Sequence, residues 1–163
     1  MHLVFGALPQ ADSRRSLKRL VIGIGNTYRR DDGVGLVVAD EIAKRGLPGV
    51  QVLTAIGEPG AMLDAWSGAD LAVVVDAAMG NGATPGRIQR WAPGDIEGPA
   101  VVSSHAFGLP QTYALGEALG QTPDRLVVLS VVVADVGQGP GLTPAVQAAV
   151  PETVDMILAE LDR

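Results

Sequence analysis

Two stretches of this chain tolerate only one kind of surroundings. Leu71-Ala-Val-Val-Val-Asp76 and residues 126–133 are apolar at nearly every position, with no alternation of apolar and polar side chains. A strand with one wet face alternates, and a strand covered on both faces does not. Burial on both faces is the mark of a mostly parallel sheet packed between helices. Leu20-Val-Ile-Gly-Ile-Gly25 also reads as a buried strand. The covering must come from small aliphatic residues, because 47% of the chain is hydrophobic and only 4% aromatic.

Helical patterns separate these runs. Val34, Val38 and Ile42 recur every fourth residue, and Gly46 and Pro48 stop the pattern. Helices are expected over 33–45, 61–66, 107–119 and from Thr143 onward. Thr143 should cap the last of these, Pro144 suits its first turn and Pro151 should kink it. Strands are expected over 19–25, 50–55, 71–76, 85–91 (at an edge) and 126–133, with turns or loops at 57–60, 94–104 and 137–141. The fold class that follows is α/β: a three-layer sandwich, with a twisted, mostly parallel sheet of about five strands flanked by helices on both faces. Residues 1–18 are weakly patterned and read as a flexible extension. Residues 19–163 read as a single domain.

The bulk properties exclude several functions. A formal charge of −6 argues against nucleic acid or an anionic membrane as partner. No apolar run approaches the roughly 18 residues that span a bilayer. Residues 1–18 show no secretory pattern, so the expected compartment is the cytoplasm. The chain has no cysteine, which removes disulfides, thiolate metal sites and a cysteine nucleophile. No exposed amphipathic repeat points to assembly, so a monomer is expected.

The chemistry concentrates where the apolar strands end. Gly23-Ile-Gly25 after a strand invites a dinucleotide-binding reading, but Tyr28 stands where a third glycine is needed. Asp31 and Asp32 would also repel a pyrophosphate. Two carboxylates at the mouth of a helix sit where the dipole keeps them ionised. Asp76 ends an apolar strand, and His105 precedes a helix. Loops after parallel strands share one edge of the sheet, so Asp32, Asp76 and His105 can converge there. Two oxygens and one imidazole nitrogen suit a borderline divalent cation and leave coordination positions open for chemistry or recognition. Asp31 competes with Asp32 for the role in the first loop.

These pieces resemble the hydrogenase maturation proteases, the endopeptidases that trim the large subunit of [NiFe] hydrogenases. The matching segments are Gly23-Ile-Gly-Asn26 with Asp31-Asp-Gly-Val-Gly35, Val74-Val-Asp76-Ala77, Ser104-His105 with Gly108-Leu109, and Gly141-Leu-Thr-Pro144-Ala-Val146. They stand in the family's order over residues 19–162. Gly57-Glu-Pro-Gly60 departs from the turn seen in some members. The resemblance implies that Asp32, Asp76 and His105 form a nickel-recognition site, with Asp32 and Asp76 also the catalytic candidates. It implies nickel supplied by the substrate, no organic cofactor, and a nickel-loaded large-subunit precursor as partner. Cleavage would run through metal activation of water or through an aspartate as general base. His105 must be neutral to bind a metal, so activity should fall below about pH 6.

Two other classes fit parts of the pattern. One is a metal- or partner-sensing α/β module that does not cut. The other is a serine hydrolase using Ser103 or Ser104 beside His105, although no G-x-S-x-G elbow is present.

Overall fold

A computed structural model describes residues 16–80, 82–95, 102–103 and 108–163. In chain order the elements are β1 (Arg19–Ile24), α1 (Val34–Lys44), β2 (Val50–Ala55), α2 (Pro59–Trp66), β3 (Leu71–Met79), β4 (Ile88–Trp91), β5 (Val102–Ser103), α3 (Leu109–Leu119), β6 (Arg125–Val132) and α4 (Pro144–Leu161). Five strands follow one path in the order β2-β1-β3-β6-β4. The pairings β2-β1, β1-β3 and β3-β6 are parallel, and β4 lies antiparallel along the outer edge of β6. This is the expected class, with its most apolar strands, β3 and β6, inside the sheet and β4 at an edge.

The two faces of β3 show why its sequence does not alternate. Leu71, Val73, Val75 and Ala77 pack with Val38 and Ile42 of α1 and with Val146, Val150, Val154 and Ile157 of α4. Ala72 and Val74 pack with Met62, Leu63 and Trp66 of α2 and with Leu109 of α3. Each strand position is thus covered by one helix pair or the other. Burying a valine or leucine side chain contributes about 1.5–3 kcal/mol, so the apolar runs dominate the stability of the sandwich.

The glycine turn serves this packing. A methyl group added at Gly23 would lie 2.2 Å from the carbonyl oxygen of Gly35, and one at Gly35 would lie 2.4 Å from that of Ile24 and 2.6 Å from that of Val75. Only bare backbone lets the first turn of α1 rest on β1 and β3. Gly23 of the G-x-G pattern is therefore a helix-to-strand contact.

Several expectations are corrected. β3 does not end at Asp76 but continues to Met79. The stretch expected to be a loop over 94–104 contains β5, which pairs antiparallel with that extension through Ala78–Ser103 and Met79–Val102. The edge strand expected over 85–91 begins at Ile88. A turn of 3-10 helix, Arg30–Gly33, precedes α1, so Asp31 and Asp32 ride on that turn. Pro59 and Gly60 belong to the first turn of α2, because the Glu58 carboxylate accepts the N–H groups of Gly60 and Ala61 at 2.9 and 2.8 Å. The last helix is one element from Pro144 to Leu161 with Pro151 inside it. Thr143 makes no side-chain cap, since its hydroxyl is engaged elsewhere. Lys18 is already tied to the sheet, its N–H reaching Asp70 Oδ2 at 2.6 Å. The expected start of the third helix at 107, and most of the extension read over residues 1–18, lie outside the described residues.

Candidate active site

The carboxyl ends of β1 and β3 bring two acids to one place. Parallel register sets Gly23 beside Val75, which puts Ile24 level with Asp76. Beyond Ile24 the chain turns over the strand end, and the 3-10 turn that follows packs against β3. There Asn26 donates its backbone N–H to Asp32 Oδ2 at 3.0 Å. Asp32 and Asp76 are only 1% and 2% exposed. Two buried carboxylates, one in the turn after β1 and one within the neighbouring β3, lie toward the carboxyl side of the sheet.

Asp31 has a different set of partners from Asp32. Its Oδ2 accepts the backbone N–H groups of Ala134 (2.9 Å) and Asp135 (3.0 Å) and the Thr143 hydroxyl (2.8 Å). Its Oδ1 accepts the Thr143 N–H at 2.7 Å. Burial acts to raise its pKa, but the bonds from Thr143, Ala134 and Asp135 outweigh that and hold it below the usual carboxylate range. Asp31 is a brace between the β1–α1 and β6–α4 loops.

The same two loops are joined along their backbones. Arg30 N–H donates to Gly139 O at 2.9 Å, Gly139 N–H to Tyr28 O at 2.8 Å, and Asp31 N–H to Asp135 O at 3.0 Å. Arg30 sits at φ 48°, a left-handed conformation that any residue with a Cβ adopts at a cost. Strain of this kind persists where surrounding contacts over-determine it, and it concentrates at functional sites.

Asp76 is part of a polar row that the sequence reading missed. Its register partner on β6 is Ser130, whose partner on β4 is Gln89. The row lies on the α2–α3 face, where the positions below it are Val74 and Val128. The available signal was the single hydroxyl in Leu-Val-Val-Leu-Ser130-Val-Val, which only pairing with Asp76 makes meaningful.

His105 and Ser104 lie outside the described residues. The chain is described on either side. Ser103 pairs with Ala78, two residues beyond Asp76, and Leu109 packs on the face that carries Asp76. Among the described residues no group of three potential metal ligands is present.

Fold and site define a class: a three-layer α/β protein with a buried acidic pair at the carboxyl edge of a parallel sheet. Comparison narrows it. The model of the hydrogenase maturation protease family matches residues 37–160, and the chain belongs to that family. It is 26% identical over 151 residues to the hydrogenase 2 maturation protease of Escherichia coli K12, covering 89% of this chain and 91% of that one. It is 29% identical over 150 residues to the hydrogenase expression/formation protein HupD of Bradyrhizobium diazoefficiens, covering 86% and 78%. Its fold matches that of the hydrogenase maturating endopeptidase HybD of E. coli with a TM-score of 0.75 at 21% identity, over 90% of this chain and 93% of that one. Among the described residues no helix is long and apolar enough to cross a membrane.

Proposed function

We propose that this protein removes the C-terminal extension of a [NiFe]-hydrogenase large-subunit precursor once nickel is in place, and that Asp32, Asp76 and His105 read the metal. The nickel belongs to the substrate. The observation that supports the reading is the difference between adjacent aspartates: Asp31 is engaged by the brace, while Asp32 is buried beside the Asn26 N–H at the end of β1, the strand that pairs with the one carrying Asp76. One carboxylate and the imidazole ligate the cation. The other takes a proton from the attacking water and passes it to the leaving amine. Asp32 and Asp76 thus divide the ligand and proton-transfer roles between them, with no organic cofactor. The protein acts as a monomer in the cytoplasm, without nucleic acid or membrane as partner.

The test is incubation of the purified chain with nickel-loaded and nickel-free precursor, followed by intact-mass analysis. Loss of the extension from the loaded form alone is expected. Binding and release of the loaded precursor at full length would make the protein a sensing module instead. Loss of cleavage in Ser104→Ala, with nickel binding intact, would favour a serine mechanism.

A further inference from the structure

Large apolar side chains stand in water at six described positions, and three of them belong to the carboxyl edge of the sheet. Tyr28 is 76% exposed, Ile56 75% and Met79 47%. The others are Leu17, before β1 at the opposite edge, and Leu115 and Leu119 on α3. Isolated exposed leucines are ordinary, whereas grouped ones mark contact surfaces.

Tyr28 and Ile56 follow β1 and β2, and Met79 is the last residue of β3, three strands adjacent in the sheet. All three therefore emerge on the same, carboxyl side of the parallel strands. Each is displayed by pinned backbone. Tyr28 accepts from Gly139 N–H at 2.8 Å and donates its own N–H to Asn26 Oδ1 at 2.9 Å. Ile56 lies between Ala55, whose carbonyl accepts Gly25 N–H at 3.0 Å, and the Glu58 cap of α2. Met79 is held in strand pairing with Val102. Rigid presentation lowers the entropic cost of burying an apolar anchor in a partner.

We infer that Tyr28, Ile56 and Met79 form an apolar rim around the Asp32–Asp76 pair that docks apolar residues flanking the cation of the precursor subunit. The inference rests on the proposed function. Charge argues against a second copy as occupant. Self-association through this edge would set two acidic pairs face to face, each on a chain of net charge −6, with Glu58 alongside. A cation ringed by apolar side chains complements the edge.

The experiment measures equilibrium binding of the nickel-loaded large-subunit precursor, and separately its cleavage, for the unaltered chain, Tyr28→Ser, Ile56→Ser, Met79→Ser, the triple variant and Leu17→Ser. Each rim variant should weaken binding about tenfold and the triple variant at least about a hundredfold. Leu17→Ser should bind like the unaltered chain, and kcat at saturating precursor should stay within about twofold. Melting curves confirm that the exposed substitutions leave the fold intact. Unchanged binding by the triple variant, with the unaltered chain still cutting, overturns the rim and leaves the protease reading standing. Rim-dependent binding without cleavage keeps the rim and removes the protease reading. No binding by the unaltered chain removes both. A dimer that falls apart in the triple variant assigns the surface to a second copy and overturns the inference.

Discussion

Thr143 grips Asp31 with both of its hydrogen-bond donors, backbone N–H to Oδ1 at 2.7 Å and hydroxyl to Oδ2 at 2.8 Å. One residue thereby joins the start of α4 to the loop that carries Asp32.

Cutting this link should destabilise the protein in graded steps. Thr143→Val removes the hydroxyl bond but keeps the N–H, and should cost about 1 kcal/mol. Asp31→Ala strands three backbone donors and should cost about 3 kcal/mol or more. Urea unfolding of the two variants checks the order, and equal losses would contradict the brace.

The acid side of the stability profile follows from the same carboxylate. Asp31 has a folded pKa below its ordinary 3.8, so its contribution is complete above that value and is lost as pH falls through the folded value. Glu160 behaves alike. Burial opposes its charge, but Arg90, Arg163 and Arg125 hold it below its ordinary 4.5, with Arg90 Nε at 2.6 Å from Oε1. Stability should therefore decline from about pH 4.5 downward. Glu160→Gln should flatten that decline while lowering stability at pH 7, as melting temperatures across pH 3–7 would show.

Gly35→Ala should be among the most damaging single-methyl changes in the chain. The added carbon meets two carbonyl oxygens within 2.6 Å, both backbone, so α1 has to shift off the sheet. A loss of about 3 kcal/mol is expected. Gly46→Ala supplies the contrast, because nothing lies within 4 Å there and only its φ of +57° is strained, at about 1 kcal/mol.

Asp32→Asn and Asp76→Asn should separate chemistry from folding. Each should slow cleavage of the nickel-loaded precursor by about 10²–10⁴-fold, and each should weaken nickel binding in a direct titration. Their melting temperatures should move less than that of Asp31→Ala. A full rate with Asp32→Asn would remove it from the site.

The architecture was legible because both-sided burial leaves a direct trace. Val73-Val-Val75 could only be an inner strand, and its two faces now meet separate helix pairs. That Asp32 and Asp76 both lie toward the carboxyl side of the sheet was legible for a related reason, since they follow or belong to adjacent parallel strands. The roles within Asp31-Asp32 were not. Adjacent identical residues look alike until the fold shows that one faces a loop 103 residues away. The extension of β3 to Met79 was also hidden, because its partner β5 is two residues long and carries no periodicity. Thr143 misled through its position before Pro144, an ordinary capping site whose hydroxyl a distant carboxylate had claimed.

The brace also imposes an order on biosynthesis. Asp31 emerges early from the ribosome, yet the groups that seat it arrive only with Ala134, Asp135 and Thr143. Only once the chain has run through β6 to the start of α4 can the brace close.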